Sequence, residues 1–193
     1  MKRGTPSLVA EAFSRCQSAG LPSCHRDVGQ MLAVLAAHLR HGARVLELGT
    51  SGGVGTAWIA SGLLSRTDVS VVTVERDTRI ANIAACVGFP SFVDMRTGDS
   101  LALLAEADRY DLIFADAPRG KWDGLELTIN ALAPAGMLVV DDMNPIHGIS
   151  GEHRDKLDFV RSTLMNCPLL LSIEMRLGSG IILSTRHRKG GLA

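Results

Sequence analysis

Arg44-Val45-Leu46-Glu47-Leu48-Gly49-Thr50-Ser51-Gly52-Gly53-Val54-Gly55, with Asp68-Val69-Ser70-Val71-Val72-Thr73-Val74-Glu75 after it, is the stretch that decides the fold. An aliphatic run ends in a glycine-rich turn, and the turn opens a helical segment carrying Ala57, Trp58, Ile59 and Ala60. A second, near-continuous β-branched run then ends on a carboxylate. Runs of this kind suit strands of a parallel sheet buried on both faces.

The same alternation extends in both directions. Upstream, residues 6–18 read as a short helix with Pro6 in its first turn, and Gly20-Leu21-Pro22-Ser23 as a loop. From Val28, the residues Met31, Leu32, Leu35, Ala36 and Leu39 recur at helical spacing until Gly42. Downstream, Asp77 caps a helix to about residue 87, 91–95 is a third strand and 100–107 a short helix. Tyr110–Ala115 is a fourth strand closing on Asp116, 125–132 is helical, and 136–140 is a fifth strand closing on Asp141-Asp142. A last helix over 155–165 precedes two strands, 169–174 and 180–185, which read as an antiparallel pair. Strands alternating with helices predict a doubly wound α/β sheet. The organisation is an N-terminal helical cap or dimer arm over 1–24 and one domain over 25–193, with the basic Arg186-His187-Arg188-Lys189 run as a frayed end.

Composition narrows the classes of partner. At 193 residues the chain is long enough for one domain burying roughly 70% of its extended-chain surface. Twenty Lys and Arg balance twenty Asp and Glu, so no net charge favours nucleic acid or an anionic membrane. Eight aromatic residues give little material for stacking bases. No apolar run reaches the roughly eighteen residues of a membrane span, and Glu11 and Arg15 interrupt the only leader-like start. Cys16, Cys24, Cys86 and Cys167 are scattered, which predicts reduced thiols and a cytoplasmic protein.

In an open α/β sheet, ligands bind beyond the strand C-termini where strand order reverses. The polar candidates all fall there: Gly49, Ser51 and Gly53 in the turn, Glu75, Asp99 with Ser100, Asp116 with Arg119 and Lys121, and Asp141 with Asp142. The glycine turn lacks the Gly-Lys-Ser/Thr ending of a nucleotide-hydrolysing loop. Glu75, twenty-two residues after Gly53, can accept both hydroxyls of a ribose. Those features admit either a dinucleotide or S-adenosylmethionine.

Glu47-Leu48-Gly49-Thr50-Ser51-Gly52-Gly53, Val74-Glu75, Gly98-Asp99-Ser100, Phe114-Ala115-Asp116-Ala117-Pro118 and Val139-Val140-Asp141-Asp142-Met143 together decide between them. Over residues 28–185 the chain resembles the small class I S-adenosylmethionine-dependent O-methyltransferases related to catechol O-methyltransferase. The resemblance implies a Rossmann-like, mainly parallel seven-stranded sheet of order 3-2-1-4-5-7-6 with strand 7 antiparallel. It implies S-adenosylmethionine as cofactor, with Gly49, Ser51 and Gly53 beside its methionine end, Glu75 on the ribose, and Asp99 and Ser100 near adenine. Asp116 would face both cofactor and acceptor. The acceptor expected is a small-molecule hydroxyl, and a homodimer is expected through the N-terminal helix.

Asp116 and Asp141 match the family's two metal-binding aspartates, while Asp142 stands where metal-dependent members have Asn. Three oxygen ligands suit Mg²⁺, which would gather and polarise an acceptor diol. The family's Asp-x-x-Lys becomes Asp116-Ala117-Pro118-Arg119, and a guanidinium cannot serve as base. Lys121 is then the candidate base, with Arg119 orienting an acidic acceptor or steadying an oxyanion. His25, His147 and His153 fall near the same edge. A metal-independent methyltransferase and a cofactor-binding regulator without chemistry are the competing readings, ahead of a nicotinamide dehydrogenase or an RNA methyltransferase.

Overall fold

The computed structural model describes residues 4–106, 108–144 and 151–188; His147 and Lys189 lie outside them. Along these residues run α1 (Ser7–Ser18), α2 (Arg26–Ala37), β1 (Arg44–Leu48), α3 (Val54–Leu63), β2 (Ser70–Glu75), α4 (Thr78–Ala85) and β3 (Val93–Thr97). They continue as α5 (Ser100–Ala105), β4 (Tyr110–Ala115), the single turn α6 (Pro118–Lys121), α7 (Leu125–Asn130), β5 (Leu132–Val140), α8 (Gly151–Asn166), β6 (Leu170–Met175) and β7 (Ile181–Arg186).

The strands form one sheet in the order β3-β2-β1-β4-β5-β7-β6. The first five pair in parallel, and β7 runs antiparallel to both β5 and β6. That is the Rossmann-like sheet the resemblance implied. Strand order reverses between β1 and β4, so loops leaving these two strands diverge and open a crevice. Register aligns the strand ends. Leu48 sits opposite both Val74 and Ala115, and Ala115 opposite Val140. Gly49, Glu75, Asp116 and Asp141 therefore emerge together at one edge.

Alternation along the strands divides the core into two layers. Leu46, Leu48, Val72, Val74, Ile113 and Leu138 pack beneath α5, α7 and α8, while Val45, Val71, Leu112, Phe114 and Val139 pack beneath α2 and α3. Helix α3 is buried nearly all round, because α1 and α2 lie over it. Its neighbours approach closely: Gly29 of α2 lies against the Trp58 ring, where a side chain would collide. Helix α1 buries Val9, Ala12 and Cys16 against Val54, Ala57 and Trp58 of its own chain.

Several boundaries differ from those expected. Helix α2 starts two residues early because the His25 ring nitrogen Nδ1 accepts the Asp27 N–H (3.2 Å) and caps it. Strand β5 begins at Leu132, four residues early. Ala135 takes a left-handed φ of 63° and the pairing register with β4 shifts, so a Pro134-bearing segment that reads as a helix end is accommodated as an irregular strand start. Arg186 is the last residue of β7 rather than a frayed end; its guanidinium donates to the Ile129 carbonyl (2.8 Å). All four cysteines are unpaired, and among the described residues no helix is long and apolar enough to cross a membrane.

One acidic residue interrupts the apolar run of the inner strand β1. Glu47 is fully buried and accepts hydrogen bonds from the hydroxyls of Thr73 (2.7 Å) and Thr56. Thr50 and Thr73 share a further hydroxyl contact at 2.6 Å. Burial outweighs these bonds and pushes the Glu47 carboxyl up to about 7, against about 4.5 in water. Between about pH 4.5 and 7 the folded chain holds a proton that the unfolded chain releases, so folding stability falls as pH rises through that window. Glu47→Gln removes this dependence. Thermal unfolding followed from pH 5 to pH 8 should show a smaller loss of Tm in the variant than in the parent chain.

Candidate functional site

The crevice is built by successive strand ends together with the loop that joins α1 to α2. After β1, Gly49 (φ 99°) and Ser51 (φ 48°) hold left-handed backbone that folds the turn over the tip of β2. Gly49 N–H donates to the Val74 carbonyl (3.1 Å), and Ser51 N–H to Glu75 Oε2 (2.9 Å). The other carboxylate oxygen, Oε1, accepts the Asp77 N–H (3.0 Å). Glu75 is thus fixed at the end of β2 with lone pairs left for ligand hydroxyls. A Cβ on Gly49 would lie 2.7 Å from the Ala117 Cβ, so only glycine lets the two loops approach. Gly53, expected at the cofactor, is the left-handed residue before α3 (φ 89°), where a Cβ would lie 2.9 Å from the Phe89 ring.

The crevice holds two adjoining cavities of about 450 and 180 Å³, which share Gly49, Glu75, Ala117 and Pro118. The smaller lies over the ends of β2 and β3, beside Gly98, Asp99 and Ser100. Asp99 caps α5 through the Leu101 N–H (3.0 Å). The larger carries Asp116, Asp141 and Asp142 on one side and residues 22–25 on the other.

Carboxylate oxygens of Asp116, Asp141 and Asp142 all lie within 4.8 Å of one another. Asp141 is buried, and its Oδ1 accepts the Asp142 N–H (2.7 Å) and the Ser179 hydroxyl. Burial, then repulsion from Asp141 and Asp142, pushes the Asp116 carboxyl well above the usual carboxylate range. Burial likewise raises Asp141.

Of the two basic residues expected beside these acids, Lys121 stays close to them and Arg119 does not. Arg119 pairs with Asp99 beside the smaller cavity, through Nε to Oδ1 (2.7 Å) and Nη2 to Oδ2 (2.5 Å). The pair holds the Asp99 carboxyl below its ordinary value. Lys121 is buried behind the acidic wall, where its ammonium donates to the Asp141 carbonyl (3.0 Å), stands 3.6 Å from Asp142 Oδ2 and lies 4.8 Å over the Trp122 ring. It reinforces the wall from outside the cavity. His25 does line the larger cavity, whereas the His153 ring packs edge-on against Trp122.

Ser179 was not readable as a site residue. It sits in the β6–β7 turn, which is pinned to the end of β5 by Met143 and Asn144 N–H groups donating to Gly180 and Ser179 carbonyls (both 2.9 Å). Cys24, one of the four scattered thiols, also lines the acidic cavity, and burial with the nearby carboxylates pushes its thiol up. The sole sequence signal for the Ser179 wall was a Gly178-Ser179-Gly180 turn between two strands.

With this geometry in view, residues 46–143, half the chain, match the model of a methyltransferase domain family. The chain is 31% identical over 147 residues to a catechol O-methyltransferase of Niastella koreensis, covering 70% of this chain and 65% of that one. A sequence of Mycobacterium sp. (strain JLS), provisionally named an O-methyltransferase, is 33% identical over 146 residues, covering 69% and 63%. The chain thus spans a little under two thirds of these curated relatives. Among solved structures, an O-methyltransferase from Bacillus cereus in complex with SAH superposes with a TM-score of 0.82 at 24% identity over 96% of this chain and 93% of that one. TomG from Streptomyces achromogenes gives 0.78 at 21%, over 97% and 92%. These two likenesses speak for the fold; the family match and the ordered strand-end motifs say more, and the chain belongs to the methyltransferase-domain family, among the class I S-adenosylmethionine-dependent O-methyltransferases.

Proposed function

We propose that the crevice binds S-adenosylmethionine and that the chain transfers its methyl group to a hydroxyl of a small aromatic or natural-product molecule. One observation carries this reading: a left-handed glycine turn, a fixed Glu75 and three clustered aspartates meet along one continuous crevice at the reversal point of the sheet. The relatives agree in kind, since one is named a catechol O-methyltransferase and two structural neighbours hold SAH or SAM.

Bound there, the cofactor supplies an activated methyl on a sulfonium, so the protein has mainly to align an oxygen and manage its proton. Glu75 takes the ribose hydroxyls, and the bare backbone at Gly49 lets the chain lie close to the methionine end. Asp99 and Ser100 flank the purine. The acceptor enters the 450 Å³ cavity between residues 22–25 and Asp116, Asp141 and Asp142, with Cys24, His25 and Ser179 shaping its walls. That volume suits a small molecule.

The three aspartates fit a hard divalent cation. With Oδ1 of Asp141 occupied by two donors, Oδ2 is left to ligate, and an all-oxygen set suits Mg²⁺. Such an ion lowers the pKa of a hydroxyl it contacts. A second, metal-independent reading rests on Lys121, whose ammonium already offsets part of the negative charge beside Asp142. The four free thiols suit the reducing cytoplasm.

With α1 packed on its own chain, the proposed homodimer is better assigned to the outer face of β6 and β7, where Leu171 is 66% and Ile173 55% exposed beside Leu183 and Met137. A two-fold axis there would lay this strip against its own copy. Light scattering should give a dimer for the parent chain and a monomer for Leu171→Glu/Ile173→Glu. A monomeric parent chain ends this part of the proposal.

For the reaction itself, incubation with methyl-labelled S-adenosylmethionine and mixed phenols should yield products heavier by one methylene. Chelation should abolish the signal, Mg²⁺ should restore it, and Asp141→Asn should lower turnover by at least about tenfold. Undiminished turnover after verified metal removal selects the Lys121 reading; no product with any hydroxyl compound removes the methyltransferase reading.

A further inference from the structure

The turn after β4 directs Arg119 away from the acids. Gly120 (φ 97°) is locked there: its N–H donates to the Asp123 carbonyl (2.7 Å), its carbonyl accepts the Thr128 hydroxyl (2.7 Å), and any Cβ would collide with Leu48. Arg119 keeps extended backbone (φ −82°, ψ 118°), which sends its side chain toward the β3–α5 turn. Two contacts receive it. The guanidinium meets both oxygens of Asp99, and the Arg119 carbonyl accepts the Ser100 hydroxyl (3.0 Å).

Both members of the pair line the 180 Å³ cavity, together with Val74, Glu75, Ala117 and Pro118. Arg119 lines this cavity and not the one that holds the three aspartates. A guanidinium held flat by a two-point carboxylate contact is suited to covering an aromatic ring system, through stacking and cation–π attraction. We propose that Arg119, held by Asp99, is a cofactor-affinity residue: the planar pair closes over the purine of the bound nucleoside and sets how tightly it is retained, with no contact to the methyl acceptor. This rests on the methyltransferase reading of the crevice.

The test needs no acceptor. Calorimetric titration with S-adenosylhomocysteine compares the parent chain with Arg119→Met, Arg119→Lys, Asp99→Asn and the Arg119→Met/Asp99→Asn double variant. Each single variant should weaken binding by about five- to tenfold, lysine included, because its ammonium cannot reproduce the planar two-point contact. The double variant should lose little more than either single, since both remove one device. 5′-Methylthioadenosine, which keeps the purine but lacks the amino-acid arm, should lose the same factor, which assigns the loss to the nucleoside end, and an unchanged Tm in each variant should exclude a general loosening of the fold.

Unchanged S-adenosylhomocysteine affinity in folded Arg119→Met, or a loss confined to the ligand with the amino-acid arm, overturns the proposal. Asp99→Asn, which keeps an acceptor for the Leu101 N–H, reports independently if the arginine variants do not fold. A parent chain that binds neither compound removes the cofactor reading itself, an outcome distinct from a binding parent chain with an indifferent Arg119.

Discussion

Parallel register across four strands is the constraint on which the site depends. Leu48, Val74, Ala115 and Val140 stand level, and the residues that follow them share one edge of the sheet. A slip of one residue in any of these pairings would turn that strand's apolar side chains from one core layer to the other and carry its terminal carboxylate off the crevice. Because the strands are buried on both faces, a slip exposes or crowds side chains on either choice of layer. The packing of two helical layers therefore enforces the positional accuracy the crevice requires. Chemistry and stability are linked through the same backbone hydrogen bonds.

Convergence of strand ends also gathers charge. Glu47, Glu75, Asp116, Asp141 and Asp142 lie at or just beneath one edge, and burial makes ionisation costly for Glu47, Asp116 and Asp141. Threonine hydroxyls serve Glu47, backbone N–H groups serve Glu75, and Ser179 with the Asp142 N–H serves Asp141. Lys121 stands beside Asp142. Asp116 is different: desolvation and its two aspartate neighbours dominate its environment, with Lys121 the opposing influence. A site arranged in this way is unfavourable for three ionised carboxylates alone and more favourable for the same groups around a proton or a cation.

The architecture was readable because its signals are local. Val71 to Val74 cannot be mistaken for an amphipathic helix, and glycines directly after a strand mark a turn into a helix. Asp77 caps α4 as its position before a helical run suggests, and the structure adds the same role for Asp99 at α5. Acidic residues at the ends of β4 and β5 were assignable because strand ends, once strands are found, are positions in space. The start of β5 was not readable, since Pro134 and Gly136 speak against a strand and only pairing with β4 overrides them. Ser179 was hidden for a related reason: it reaches Asp141 from thirty-eight residues away through an antiparallel hairpin.

Side-chain direction was the other thing hidden from the sequence. Arg119 and Lys121 are two residues apart in a segment read simply as a basic loop, and they end on opposite sides of the crevice wall. Gly120 separates them. Its left-handed backbone reverses the chain between one residue that faces Asp99 and another that is buried against Asp141 and Trp122. Matching by spacing assigns a role to whichever residue occupies the position of the family's lysine, but a charge acts where its atoms are. Here a glycine that carries no side chain decides which ligand surface each of its basic neighbours can reach.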